Sequence, residues 1–91
     1  MLEFEWDDQK AKSNELKHQV SFLEAALIFE DQRAITIPDL RHSRNEKRFI
    51  TIGKSRNFSF PLVVVHTERD QRIRIISARR ASRKEREQYE E

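Results

Sequence analysis

An α+β fold is predicted by three features of the sequence. Four blocks beyond residue 32 are rich in β-branched or aromatic residues, and most alternate them with polar ones, the two-residue period of strands. Three helix-start signals, Asp7 or Asp8, Ser21-x-x-Glu24 and Ser82-x-x-Glu85, stand outside those blocks. The strand blocks follow one another across turns and loops and do not alternate with helices. The expected domain is therefore a small, mainly antiparallel sheet with two N-terminal helices and a short C-terminal one. A chain of 91 residues is one domain, residues 1–91, and shows neither repeat nor internal linker.

Taken in order, residues 2–6 alternate Leu2, Phe4 and Trp6 with two glutamates and form a short strand. Asp7 or Asp8 caps a polar, exposed helix over residues 7–18 that stops near Gln19, with His18 suited to its C-terminus. The Ser21/Glu24 capping box opens a second helix through Phe29, apolar on most of its circumference and so expected to lie on the sheet, ending by Asp31. Residues 33–37 make a strand stopped by Pro38 and Asp39, and residues 41–46 a polar loop. Residues 47–52 make the next strand, ended by Gly53, and residues 54–59 a turn in which Asn57 best suits a left-handed conformation. Residues 60–67, with Leu62-Val-Val-Val65, form a central strand, residues 68–71 a hairpin loop, and residues 72–79 the last strand. The Ser82/Glu85 box starts a final helix through Tyr89, a residue placed to pack.

What the chain lacks excludes several classes of function. With no cysteine there is no disulfide framework, zinc finger, redox pair or thiol nucleophile. The single glycine, Gly53, removes the phosphate-binding glycine loops. The longest apolar run, Ala25-Ala26-Leu27-Ile28-Phe29, is far short of the roughly 18 residues of a membrane span. The acidic first residues lack the basic region of a signal peptide, so the cytosol is the expected compartment.

The net charge of +2 conceals an asymmetry: residues 1–40 sum to −5 and residues 41–91 to +7. Between Arg41 and Lys84 ten arginines and three lysines face three acidic residues. Guanidinium suits bidentate recognition of phosphate or carboxylate, where lysine would serve solubility equally well. Nucleic acid and an acidic protein surface are the two partners this implies; a merely solvated basic face is the plain alternative.

In the last strand Arg72 and Arg74 alternate with Ile73 and Ile75, so one face is cationic. Arg48, Arg69, Arg79 and Arg80 extend that set, and Lys47 and Lys54 add further positive charge. Such a row can hold an RNA backbone and stabilise a pentacoordinate phosphorane; alternatively the arginines pair with Glu3, Glu5, Glu46 and Glu68 as surface ion pairs. Metal-free RNA cleavage also needs a base for the 2′-hydroxyl and an acid for the leaving 5′-oxygen. His42 and Glu46, in the loop that feeds the Arg48 strand, are the best candidates. Their H-x-x-x-E spacing has no third ligand nearby, so no metal or other cofactor is expected. His66 and His18 read as structural, and Trp6 and Phe4 as core or edge aromatics.

In order along the chain, Phe4-Glu-Trp-Asp7, Asn14-x-x-Lys17-His18-x-Val20-Ser-Phe22, His42-Ser43-x-x-Glu46-x-Arg48-Phe49, Leu62-Val-Val-Val65, Glu68-Arg69, Arg74-Ile-Ile-Ser-Ala-Arg79 and Glu85-x-x-x-Tyr89 resemble the BrnT family. These are the toxins of bacterial type II toxin–antitoxin pairs. The resemblance implies a RelE-like fold and a ribonuclease that cuts RNA to halt growth. It also implies neutralisation by a BrnA-like antitoxin whose ribbon-helix-helix part binds promoter DNA. By position it makes His42, Glu46, Arg48, Arg69, Arg74 and Arg79 the suspected residues. The alternative function is a non-catalytic basic module that binds an acidic partner or nucleic acid. Where the family usually has glycine after the Lys-His pair, this chain has Gln19, so a left-handed helix end there carries strain on the order of 1 kcal/mol.

Overall fold

The structure, a computed structural model, describes residues 2–90. Each helix begins at the capping residue that the sequence marks. The Asp7 carboxylate accepts from the amides of Gln9 and Lys10 at the start of α1 (Asp8–His18). Ser21 and Glu24 form a reciprocal box at the start of α2 (Phe22–Leu27), and Ser82 and Glu85 do the same for α3 (Arg83–Glu90). Helix α1 ends at Gln19, which adopts the left-handed conformation at φ 60°, ψ 30°. Helix α2 is shorter than the sequence predicts. It tightens into a 3₁₀ turn at Ile28–Glu30 before the chain leaves at Asp31.

The strands are β1 (Phe4–Glu5), β2 (Ile35–Pro38), β3 (Arg48–Gly53), β4 (Leu62–Arg69) and β5 (Arg72–Arg80). They form one sheet in the order β1-β5-β4-β3-β2, with β1 parallel to β5 at one edge and the other pairs antiparallel. The α+β, mainly antiparallel expectation holds. Three expectations for strands and turns do not. Strand β4 starts and ends two residues later than predicted, because only Asp70 and Gln71 form the hairpin turn, both at positive φ (50° and 67°). Asn57 is not left-handed; its turn is closed instead by Ser55, whose hydroxyl and carbonyl accept from the amides of Asn57 and Phe58. The loop over residues 41–46 is preceded and partly formed by a 3₁₀ turn at Leu40–His42.

Helices α1 and α2 cover one face of the sheet. Val20, Phe22, Ala25 and Ile28 pack there on Leu62, Val64, Ile75 and Ala78, all buried. Both helices reach β5, not α2 alone, and Leu23 and Leu27 of α2 remain exposed. Polar α1 docks through one buried side chain: Asn14 donates to the carbonyls of Val20 and Ala78 and accepts from the Ala78 amide. That closes three hydrogen bonds that burial would otherwise leave unmade. Gly53 lies within β3, and a Cβ there would meet the Ile28 carbonyl at 3.1 Å and the Ile28 and Ala34 Cβ atoms at 3.2 Å. A side chain there would force the 3₁₀ turn packed on β3 to give by a few tenths of an ångström.

Helix α3 crosses to the other side of the sheet, against β3. It is held at its start by Arg79 on Glu85 and near its end by Tyr89, whose hydroxyl donates to Asp31. Among the described residues no helix is long and apolar enough to cross a membrane.

Candidate active site

The face away from α1 and α2 is built from cross-strand rows. Register pairs Arg48 with Thr67, Thr67 with Arg74, and Arg74 with Glu5, giving one row across β3, β4, β5 and β1. Beside it, at the hairpin end, Arg69 pairs with Arg72. On the other side lies the apolar row Ile37–Ile50–Val65–Ser77, and beyond it Ile35–Ile52–Val63–Arg79, where α3 sits.

Arg72 and Arg74 share this face with Arg79 although strand alternation separates them. The register slips between Val65 and His66, whose partners are Ser77 and Ile75, so Ile76 is an extra residue in β5. This bulge reverses the parity of the strand. It turns Arg72 and Arg74 outward while Ile73 and Ile75 stay buried.

The loop between β2 and β3 closes over the arginine end of the sheet. Its base is the Asp39 amide on the Arg48 carbonyl at 2.8 Å, and the Ser43 hydroxyl is held between the Asp39 carbonyl and the Arg48 amide. Glu46, at the end of this loop, accepts two hydrogen bonds from Arg69, at 2.5 and 2.8 Å. Arg69 chiefly, with Arg74 and Arg48 behind it, holds the Glu46 carboxyl below the usual carboxylate range, and Glu46 in turn raises Arg69. Arg74 rests on Glu5 at 2.9 Å, and Arg72 is near Glu3 and Glu5. Arg48 has no carboxylate partner among the described residues. Arg41, His42, Arg44, Asn45, Glu46 and Arg48 line an open cleft of about 560 Å³. The His42 side chain is 62% exposed there and meets Asp39 through Nδ1 at 3.0 Å.

Beneath this surface the opposite face of the same strands is aromatic. His66 is buried and stacks on Phe49, with Phe29 edge-on at 4.9 Å. Its Nε2 meets the Thr51 hydroxyl at 2.7 Å, its Nδ1 has no partner among the described residues, and burial pulls its pKa down to about 4. The structural reading of His66 stands.

The structure thus brings together His42, Glu46, Arg48, Arg69, Arg72 and Arg74, with Lys47 beside them in the chain. It leaves the others apart. Arg79 lies on the same face but about 13 Å away along β4, bound bidentately to Glu85 at 2.8 and 2.9 Å. Arg80 projects to the helix-covered face, with its guanidinium 4.0 Å over the Phe60 ring. Lys54 follows Gly53, at the far end of β3 from Arg48, with its amide on Asp31. Sequence reasoning missed Thr67, buried between Arg48 and Arg74 with its hydroxyl on the Lys47 carbonyl, and Asp39, the partner of His42. The D-x-x-H spacing marks Asp39; nothing in the sequence marks Thr67.

The arrangement offers several guanidinium groups and one exposed imidazole at and beside an open cleft. No curated protein matches the chain. A family model described as the ribonuclease toxin, BrnT, of type II toxin–antitoxin systems matches residues 6–85, the span that contains every residue of this site except Glu3 and Glu5. By that match the chain belongs to the BrnT family of ribonuclease toxins.

Proposed function

We propose that this toxin is an endoribonuclease that cleaves RNA without a metal ion, through attack of a 2′-hydroxyl on the adjacent phosphate. The observation that carries this reading is the Arg48–Thr67–Arg74 row beside the His42 cleft. As the 2′-oxygen bonds to phosphorus and the bond to the 5′-oxygen breaks, a 2′,3′-cyclic phosphate and a 5′-hydroxyl are left. The phosphorane gathers negative charge that preorganised cations stabilise. Arg48, without a carboxylate to occupy it, takes the phosphate first; Arg74 and Arg69 flank it. His42 accepts the 2′-hydroxyl proton, and the departing 5′-oxygen takes its proton from solvent water at the open cleft. Glu46 is held ionised by Arg69, so it fixes that guanidinium and does not donate a proton.

The partner in this reading is a BrnA-like antitoxin with a ribbon-helix-helix part, through which alone the toxin reaches promoter DNA. An acidic antitoxin segment competes with RNA for the same arginines, and the toxin acts in the cytoplasm. Replacing Arg48 by Ala tests the assignment: toxicity is lost while the antitoxin still co-purifies. Retained toxicity would remove Arg48 from the chemistry. Loss of antitoxin binding alone would favour a non-catalytic basic module.

A further inference from the structure

His42 is fixed from one side only. Its Nδ1 lies 3.0 Å from Oδ2 and 3.3 Å from Oδ1 of Asp39, while its Nε2 has no protein partner among the described residues. The Asp39 side chain is only 13% exposed, and its backbone is anchored both ways. Its amide donates to the Arg48 carbonyl, and its carbonyl accepts from the Ser43 hydroxyl at 2.6 Å. That same Ser43 oxygen accepts from the Arg48 amide at 2.9 Å. The carboxylate that meets His42 is thus tied to the backbone that carries Arg48.

We infer that Asp39 is a positioning residue for His42. An ionised carboxylate only accepts, so the hydrogen in this contact sits on Nδ1. Neutral His42 then carries its lone pair on Nε2, the atom left free at the cleft. In this form the ring can take a proton without first changing tautomer, and Asp39 offsets the positive charge that follows. A merely structural Asp39, one that only caps the 3₁₀ turn at Leu40–His42, would leave the tautomer of His42 indifferent. The inference rests on the proposed role of His42 in proton transfer.

The test uses the full-length toxin released from its antitoxin, with ¹⁵N-labelled histidine and the variants Asp39→Asn, Asp39→Ala and His42→Ala. Long-range ¹H–¹⁵N spectra at alkaline pH report which ring nitrogen holds the hydrogen, whether or not RNA is cut. The wild type shows the Nδ1–H form at His42, and Asp39→Ala moves it toward the Nε2–H form. In RNA cleavage, Asp39→Ala lowers kcat about 10–100-fold with KM little changed, a smaller loss than His42→Ala gives. Asp39→Asn keeps the size and the backbone bonds of the loop, so a kcat loss there with an unchanged thermal midpoint excludes simple unfolding. A wild-type His42 in the Nε2–H form, or Asp39 variants that cleave normally while His42→Ala does not, would overturn the inference alone. Normal cleavage by His42→Ala would instead remove the reading on which it rests.

Discussion

Arg74 and Arg79 occupy the same face of one strand although they stand at positions of opposite parity. The extra residue Ile76 in β5 reconciles them, so a single bulge gathers the cationic face and keeps Ile73 and Ile75 buried. Face membership then predicts function. Arg74→Ala reduces cleavage; Arg80→Ala and Lys54→Ala leave it within about twofold, since neither lies at the cleft. Arg80→Ala instead costs about 0.5–1 kcal/mol of stability through loss of its contact with Phe60. Rates and denaturant midpoints of the three variants check both halves.

Buried His66 makes stability depend on pH in a defined window. Its folded pKa is lowered from 6.5 to about 4, so the unfolded chain binds the proton first. Stability is complete above about pH 6.5 and falls as the pH drops toward 4, by up to about 3 kcal/mol. Denaturant unfolding of wild type and His66→Phe between pH 7 and pH 4 tests this. The gap between the two curves should narrow or invert in favour of the variant; parallel curves contradict it.

Helix α3 loosens at lower pH than that. Arg79 chiefly, aided by the Ser82 amide, holds Glu85 down to about 2. A carboxylate depressed in the fold stabilises above its unfolded value of about 4.5 and ceases to do so as pH falls toward 2. Protection factors of the α3 amides, the intrinsic exchange rate at each pH divided by the observed rate, should therefore fall in that interval in the wild type. In Glu85→Gln they should already be low at neutral pH and nearly flat below.

Two glycine substitutions have opposite signs. Gln19→Gly relieves a left-handed residue and stabilises by up to roughly 0.5 kcal/mol after the entropy of the unfolded glycine is set against the relief. Gly53→Ala pushes a methyl group onto backbone and Cβ atoms at 3.1–3.2 Å and destabilises. Thermal midpoints of both variants are the check.

Local signals in this chain are strong: they name the three caps and the antiparallel block, while the left-handed end at Gln19 follows from the family resemblance. The sequence predicts a four-residue loop where the turn is only Asp70–Gln71, because neither residue announces a two-residue turn as Asn-Gly would. Asn57 misled for the converse reason: a Ser55 side chain closes that turn without a positive φ. At the site, alternation placed Arg72 and Arg74 on one face, and the doubled Ile75-Ile76 was the visible trace of the bulge. That Glu46 would hold Arg69, Glu5 hold Arg74 and Glu85 hold Arg79 depends on contacts between residues 6 to 69 positions apart. Spacing along the chain does not encode those pairings. The expectation of surface ion pairs and that of a cationic face both hold in part, because several arginines are paired while Arg48 has no carboxylate partner among the described residues.

The most direct measurement is incubation of folded, antitoxin-free toxin with end-labelled RNA in EDTA, alone and bound to ribosomes. The account predicts fragments that end in 2′,3′-cyclic phosphate, absent when Arg48 or His42 is replaced by Ala. RNA that stays intact in both settings, or that is cut only after a divalent ion is restored, would contradict it.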